Sequence, residues 1–182
     1  MITHLDISTL PLTREAAFEF FKESQLPGSL KFRYWMSRWD QVFQVNMGTI
    51  IADMEGEEVR GFMGALIFPC WMTGDIEALE AFWYVRKPYR KTDIGRNILK
   101  EYENWAIKRG AVRCKMVHLE VINADILEKF YLKNGYTKLE RVYTKELYER
   151  VEDRDYESPV LRGDSNGSGS GGDSGVWSIP VE

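Results

Sequence analysis

The stretch that decides the fold is Ala81–Gly110, which reads AFWYVRKPYRKTDIGRNILKEYENWAIKRG. Its first part, Ala81–Arg86, is aromatic and β-branched, as in a buried strand. From Ile94 onward, apolar residues recur three and four positions apart, which is typical of an amphipathic helix. Gly110 follows a basic last turn and predicts the end of that helix. The stretch therefore predicts a strand, a turn and a helix in direct succession.

The turn between the strand and the helix is basic. It contains Lys87, Arg90 and Lys91, and Arg96 follows in the first turn of the helix. The first backbone N–H groups of a helix have no partner inside the helix, and the helix dipole favours negative charge there. These residues alone therefore predict an anion site and suggest a phosphorylated ligand.

The segment VRKPYRKTDIGR resembles the acyl-CoA-binding motif of the GNAT superfamily of N-acyltransferases. In that family a strand ends in Val, and an Arg/Gln-x-x-Gly-x-Gly/Ala turn holds the pyrophosphate of acetyl-CoA. By this resemblance Arg90 takes the Arg/Gln position and Gly95 the second small position, whereas Asp93 replaces the first glycine. The coenzyme-binding residues that the resemblance implies here are Tyr84, Val85, Arg90, Lys91, Thr92, Asp93, Ile94, Gly95 and Arg96.

A second motif follows in INADILEKFYLKNGYTKLERVYTKEL. It resembles the family pattern in which Asn-x-x-Ala-x-x-x-Tyr precedes a Gly-Phe-like pair, here Gly135 and Tyr136. Tyr131 lies four residues before Gly135, as the family tyrosine does, whereas Asn123 is one residue out of register. The resemblance implies that Tyr131 is the general acid for the coenzyme thiolate and that Asn123 contacts the coenzyme.

Acyl transfer from a thioester to an amine requires a neutral amine, a stabilised oxyanion and a proton donor for the leaving thiolate. By the resemblance, the backbone N–H near Val85 polarises the thioester carbonyl. Glu80 on the central strand is the better candidate for the base and Glu77 is the alternative, either acting directly or through water. His118 could shuttle protons or be a structural histidine, and Tyr131 could be a core residue.

Asp93 is the main argument against coenzyme binding. As a helix N-cap, its carboxylate could accept hydrogen bonds from the amides of the Ile94–Arg96 turn. Those are the amides that a pyrophosphate would use, and a carboxylate in that position would repel it. The cations of Arg90, Lys91 and Arg96 could neutralise Asp93, so the sequence leaves the balance open.

The remaining pattern predicts a single GNAT-like domain over residues 1–148. Its fold class is α/β (α+β), with a mixed, mostly antiparallel sheet around the strand–helix–strand acyl-CoA-binding unit. The other predicted helices are Thr13–Ser24, Tyr34–Met47 and Ala124–Lys133. The predicted strands are Gly48–Met54, Val59–Pro69, Asp75–Arg86, Val112–Val121 and Tyr136–Lys145.

Residues 149–182 are predicted to form a flexible tail. The composition becomes charged from Glu149, and Gly163–Gly175 contains only Gly, Ser, Asp and Asn. Such a segment cannot bury enough apolar area to offset the entropy of ordering it. The chain ends in VWSIPVE, and we expect this apolar tip, with Trp177 as its anchor, to dock on its own domain, a second copy or a partner.

Composition excludes several classes of function. A length of 182 residues with 44% apolar residues suits one domain with a real core. The net charge of -4 argues against binding to nucleic acids or membrane surfaces. With only Cys70 and Cys114, and no signal-peptide pattern in residues 1–16, we expect a cytoplasmic protein without a metal site.

Two functions from different classes remain open at this point. The favoured one is an acetyl-CoA-dependent N-acetyltransferase that acts on the primary amine of an unidentified acceptor. The acceptor could be a small amine, an antibiotic, an amino acid, or a protein N-terminus or lysine. The other is a catalytically inactive protein of the same fold, an interaction or assembly component of a virion or another complex, whose tail docks a partner. Asp93 and the short loop at Asn123 favour the second.

Overall fold

A computed structural model of the chain describes residues 1–120 and 124–145. The chain divides into two compact units, Met1–Tyr143 and Thr144–Glu182, and every helix and strand of the described residues belongs to the first unit. The predicted boundary after residue 148 and the predicted docking tail lie outside the described residues and stay predictions.

The chain order is a strand, two helices, three strands, a helix, a strand and a helix. The elements are β1 (Ile2–Leu5), α1 (Arg14–Ser24), α2 (Phe32–Gln44), β2 (Gly48–Glu55), β3 (Glu58–Pro69), β4 (Ile76–Val85), α3 (Ile94–Lys108), β5 (Arg113–Lys115) and α4 (Ala124–Lys133). Within the described ranges, no helix is both long enough and apolar enough to cross a membrane.

The five strands form one sheet in chain order from β1 to β5. Each of the first three strands is antiparallel to the next, whereas β4 and β5 are parallel and joined by α3. A parallel pair needs such a crossover because the chain must return to the end of the sheet at which the first strand began. The predicted fold class and the strand–helix–strand unit are therefore confirmed. The sequence reasoning missed β1, whose four residues are too few to show a period.

Helices cover both faces of the sheet. Ile50, Ala52 and Phe62 belong to a core with α1 and α2 on one face, and Ile51 and Met63 belong to a core with α3 on the other. Successive side chains of a strand point to opposite faces, so a strand covered on both sides must be apolar along its length. This explains the continuous apolar run FMGALIF in β3.

A β-bulge changes the register between β3 and β4. Gly64 pairs with Phe82, but the next residue, Ala65, pairs with Glu80, so Ala81 is an extra residue in β4. The bulge needs glycine at position 64, because a Cβ atom there would lie 2.4 Å from the ring of Phe82. A bulge bends its strand and redirects the side chains on either side of it.

Only the first part of β4 pairs with β5. The paired residues are Glu77 with Arg113, Ala78 with Cys114, and Leu79 with Lys115. Beyond Leu79, β4 has no strand on that side in the described part of the chain. We call residues 76–79 the paired half of β4 and residues 80–85 its open half, with the bulge at their junction.

Three predicted elements need correction. The last predicted strand is wrong, because residues 136–145 form no strand and Leu139, Val142 and Tyr143 lie exposed instead of packing against a neighbour. The strand predicted over residues 112–121 is limited to β5, and residues 121–123 lie outside the described ranges. The helix predicted over residues 34–47 is α2, which ends earlier because Asn46 adopts a left-handed conformation with φ 54°.

Candidate active site

The backbone of the open half of β4 offers a hydrogen-bond donor at its free edge. The Arg86 N–H donates to the Arg60 carbonyl across the β3–β4 ladder at 2.9 Å. Because hydrogen-bonding groups alternate in direction along a strand, the N–H of Val85 points to the free edge. Val85 N–H is the donor that the sequence predicts for a thioester carbonyl, and its role stays a prediction.

The start of α3 lies close to the open half of β4. Gly95 lies in the first turn of α3, where a Cβ atom would be 3.3 Å from the indole ring of Trp83. Glycine therefore permits the close approach of the helix to the strand. The first N–H groups of a helix lack intrahelical partners. Among the described residues, only that of Ile94 has a side-chain acceptor, the hydroxyl of Thr92 at 3.4 Å.

Asp93 does not cap α3, so the predicted capping is wrong. Its backbone has φ -78° and ψ 2°, and its carboxylate forms no capping hydrogen bond. An N-cap residue normally needs an extended backbone to place its side chain over the helix amides. The carboxylate instead accepts a hydrogen bond from Arg96 at 3.2 Å. The predicted competition between Asp93 and a phosphate for these amides is therefore absent from this structure.

Arg90 faces α1. Its Nε donates to the Val85 carbonyl at 2.9 Å, and a terminal nitrogen donates to the Glu23 carboxylate at 2.6 Å. The guanidinium also lies 5.2 Å from the ring centre of Tyr84, whose hydroxyl donates to the other oxygen of Glu23 at 2.6 Å. Burial opposes the ionisation of Glu23, but the hydrogen bonds from Tyr84 and Arg90 outweigh it and lower its pKa. The sequence reasoning missed Glu23, because a charge on an amphipathic helix is normally solvated.

The other predicted coenzyme contacts differ in accessibility. Lys91 is exposed and forms no ion pair with another described residue. The Thr92 hydroxyl donates to the Tyr89 carbonyl at 2.6 Å, which tightens the turn. Ile94 is buried in the core beneath α3, so only its backbone could contact a ligand. Asn123 lies outside the described residues.

Glu80 is a buried carboxylate at the first position of the open half. It is only 5% exposed and accepts a hydrogen bond at 2.9 Å from the backbone N–H of Val117, beyond the end of β5. Burial raises its pKa to about 7, and the Val117 hydrogen bond offsets this only in part. No cation among the described residues pairs with it. Such a carboxyl group can exchange a proton near neutral pH.

Tyr131 on α4 faces the same region as Glu80. Its hydroxyl donates to the carbonyl of Val117 at 3.2 Å, and its ring stacks on Trp83 at 6.2 Å between ring centres. Burial, followed by the nearby Glu80 carboxylate, raises the pKa of Tyr131 well above its usual value. Val117 thus receives the Tyr131 hydrogen bond and donates one to Glu80, which brings together the acid and the base that the sequence predicts. His118 lies beside them, with its ring centre 6.2 Å from that of Tyr131.

Glu77, the alternative base, has a different environment in the paired half. Its carboxylate is held by Lys115 at 2.8 Å and by Arg113 at 2.8 Å. The Lys115 and Arg113 hydrogen bonds lower its pKa. A carboxylate that is ionised and fully paired in this way is a poor proton acceptor at neutral pH.

The family assignment follows from comparison with known proteins. Residues 11–136 match the model of the family described as "Acetyltransferase (GNAT) family", and this match covers more than half of the chain. The chain belongs to the GNAT acetyltransferase family. No curated protein sequence matches it significantly. In the parts of the chain that the structure describes, no group of three or more His, Cys, Asp or Glu residues could hold a metal ion.

Solved structures of several acetyltransferases share the fold. AAC(6')-Iy in complex with a CoA bisubstrate analogue has a TM-score of 0.66 at 15% identity, covering 80% of this chain and 96% of its own. Glucosamine-6-phosphate N-acetyltransferase from Arabidopsis thaliana has a TM-score of 0.65 at 14% identity, covering 81% and 98%. A ribosomal-protein-alanine N-acetyltransferase from Brucella melitensis biovar Abortus 2308 has a TM-score of 0.61 at 12% identity, covering 80% and 99%.

Proposed function

We propose that the protein is an N-acetyltransferase that transfers the acetyl group of acetyl-CoA to a primary amine of an acceptor. The observation that carries this proposal is Glu80, a buried carboxyl group with a pKa of about 7 at the open half of β4. In a member of the GNAT family, such a group supplies the base that the reaction needs. The roles proposed for Glu80 and its neighbours are as follows.

Glu80 is the proposed general base. A protonated amine cannot attack a thioester, so a base must remove its proton directly or through one water molecule. The amine nitrogen then bonds to the acetyl carbon, and the carbon–sulfur bond breaks. Because the pKa of Glu80 is near 7, the group is partly ionised at neutral pH and can accept that proton. Glu77 is not proposed for this step, because Arg113 and Lys115 keep it ionised and occupied.

Tyr131 is the proposed general acid. Its hydroxyl carries a proton at neutral pH, since burial raises its pKa well above the usual value, and this proton is the one proposed for transfer. Its proton goes to the sulfur of the departing coenzyme, which leaves as a neutral thiol. The N–H of Val85 is the proposed donor to the carbonyl oxygen, on which negative charge develops in the transition state.

The residues around the turn fit an acyl-CoA. The first amides of α3, the exposed Lys91 and the side chain of Arg96 provide positive charge for phosphates. The close contact between Gly95 and the ring of Trp83 brings the start of α3 near the open half of β4, which carries the Val85 N–H. We therefore propose that the phosphates are held at the start of α3 and that the acyl end lies along the open half, toward Glu80.

Calorimetry with acetyl-CoA tests the coenzyme part of the proposal. We expect binding in the micromolar range, with tighter binding of acetyl-CoA than of acetate at the same ionic strength. Failure to detect binding at millimolar acetyl-CoA would contradict an acetyltransferase function and would favour an inactive member of the family.

A panel of amines tests the acceptor. The similar structures suggest three probes: an aminoglycoside such as sisomicin, glucosamine-6-phosphate, and a peptide with an N-terminal alanine. Turnover is measured as release of the free coenzyme thiol, with the Glu80→Gln variant as the control for spontaneous hydrolysis. Amine-dependent thiol release by the wild type, abolished in the variant, supports the proposed reaction.

A further inference from the structure

Two arginines attach the basic turn to α1. Arg86 directly follows β4 and Arg90 lies four residues further, in the turn. Their partners Glu19 and Glu23 lie four residues apart on α1. Arg86 donates to both oxygens of Glu19, at 3.0 Å and 2.7 Å, and Arg90 donates to Glu23 at 2.6 Å. Residues four apart on a helix lie on the same face. The turn is therefore fixed to α1 at two successive points.

The donor groups of Arg90 are divided between two elements. Its Nε is bonded to the Val85 carbonyl at the end of β4, and its terminal nitrogen is bonded to Glu23 on α1. This use of two donors depends on the planar, forked shape of a guanidinium group, which an ammonium group lacks. Tyr84 closes the arrangement, because it stacks beneath Arg90 and donates to the second oxygen of Glu23.

We infer that Arg90 and Glu23 form a clamp that positions the turn, and that Arg90 does not itself bind the phosphates. This inference rests on the proposed function and changes the role that the sequence predicts for Arg90. In this arrangement the phosphate charge is met by the amides of α3 and by Lys91 and Arg96. Arg90 and Glu23 act indirectly, by holding the Val85 carbonyl and the turn in place.

The exposure of the two ion pairs near the turn supports a positioning role for Arg90 and a phosphate-binding role for Arg96. The Asp93–Arg96 pair is exposed, with side chains 75% and 65% accessible, so an incoming anion can displace Asp93 at little cost. In the clamp, the side chains of Arg90 and Glu23 are 31% and 18% accessible and share further hydrogen bonds. Breaking the clamp would leave the half-buried Glu23 carboxylate with only the longer 3.6 Å contact of Lys87, whose side chain is 70% accessible, which is unfavourable.

Arg90→Lys separates the two roles of Arg90. Lysine keeps the positive charge and is a competent phosphate ligand, but one ammonium group cannot reproduce both fixed contacts. The clamp predicts that Arg90→Lys weakens acetyl-CoA binding nearly as much as Arg90→Ala, by about tenfold. If Arg90 binds phosphate, the lysine variant should keep most of the affinity, and this result would overturn the clamp.

Glu23→Ala should change acetyl-CoA affinity in opposite directions, depending on whether Glu23 positions Arg90 or only withholds it from the phosphates. The clamp predicts weaker acetyl-CoA binding in this variant and no further loss in the Glu23→Ala/Arg90→Ala double variant. If Glu23 merely withholds Arg90 from the phosphates, Glu23→Ala should bind acetyl-CoA more tightly. Glu15→Ala is the matched control, since it removes an equal charge from α1 at an exposed residue whose 3.6 Å ion pair is with Arg86 and not with Arg90. The salt dependence of binding should fall in Arg96→Ala and stay unchanged in Arg90→Ala.

Thermal unfolding without coenzyme makes the test independent of the proposed function. The clamp predicts that each single variant lowers the melting temperature and that the double variant lowers it no further than the larger single effect. Additive losses would overturn the clamp even if acetyl-CoA binds. Absence of acetyl-CoA binding by the wild type would contradict the proposed function, and the melting temperatures would still decide whether the two side chains are coupled.

Discussion

The two halves of β4 place two glutamates, three residues apart, in opposite chemical states. Glu77 lies in the paired half, where β5 brings Arg113 and Lys115 to its carboxylate and lowers its pKa. Glu80 lies past the last β4–β5 pair, where burial without a cation raises its pKa to about 7. The position at which strand pairing ends, more than the residue type, therefore decides which carboxylate can serve as a base.

The largest effect is expected for Glu80→Gln. Loss of a general base lowers turnover by about 10²–10⁴-fold. In the wild type, kcat/KM should rise with pH through about 7 as Glu80 loses its proton, and this rise should vanish in the variant. The measurement is a pH profile of thiol release with an amine that supports turnover. If kcat/KM of the variant still rises near pH 7, Glu80 is not the general base.

The pH dependence of the stability of Glu80→Gln is a second test of the raised pKa of Glu80. Because the folded-state pKa of Glu80 lies above the unfolded value, the folded state binds more protons and wild-type stability falls as pH rises from about 4.5 to 7. The neutral variant escapes this loss. It should therefore be more stable than the wild type above pH 7, by roughly 1–3 kcal/mol. Urea unfolding at pH 5 and pH 8 tests this, and equal differences at both pH values would contradict it.

Gly64→Ala tests the β-bulge at the junction between the paired half and the open half of β4. The added methyl group would overlap the ring of Phe82, so the bulge or the ring must shift. Overpacking of this kind costs about 1–3 kcal/mol. Gly56→Ala is a useful contrast, because no atom lies near its Cβ position and any effect there comes from its left-handed backbone alone. Denaturant unfolding of both variants should show the larger loss at Gly64, with activity reduced only in that variant.

Glu77→Gln tests the paired half. Its removal leaves Arg113 and Lys115 without their shared carboxylate, so we expect lower stability with turnover largely retained. Because the folded-state pKa of Glu77 is lowered, its contribution is present above the unfolded pKa and is lost as pH falls through the folded one. The destabilisation should thus be measurable at pH 7 and shrink in acid. A large loss of turnover at unchanged stability would indicate that Glu77, and not Glu80, is the general base.

The smallest effect is expected for Asp93→Asn. The carboxylate makes no capping hydrogen bond and is exposed, so stability should change by less than about 0.5 kcal/mol. Release of Arg96 should tighten acetyl-CoA binding slightly, within about threefold. Calorimetry on both proteins measures this. A marked loss of affinity would show that Asp93 helps to hold the turn.

The sequence was most informative where a period could be read over several turns or strands. The stretch around Gly95 predicts β4, the basic turn and α3, because apolar spacing and a glycine stop act locally. The residues 136–145 also alternate enough to suggest a strand, yet nothing in the described chain pairs with them. Pairing is a property of two segments, and a pattern in one segment cannot report it.

The predicted site shows the same limit. Motif and position indicate Glu80 and Tyr131, but the contact that both make with Val117 depends on where β5 ends. Glu23 was missed, although its spacing from Glu19 matches that of the two arginines after β4. The capping expected of Asp93 failed because its backbone conformation, which composition does not encode, directs the side chain toward Arg96.

The free edge of β4 should also be visible in the kinetics of proton exchange with solvent. Along this strand the N–H groups of Tyr84 and Arg86 point toward β3, whereas those of Trp83 and Val85 point away from it. Amide hydrogens should therefore exchange in a two-residue rhythm, slow and fast in turn, within one continuous strand. A molecule lying along that edge would slow the fast set alone. The slowly exchanging amides of the same strand would then be the reference against which binding at the free edge is measured.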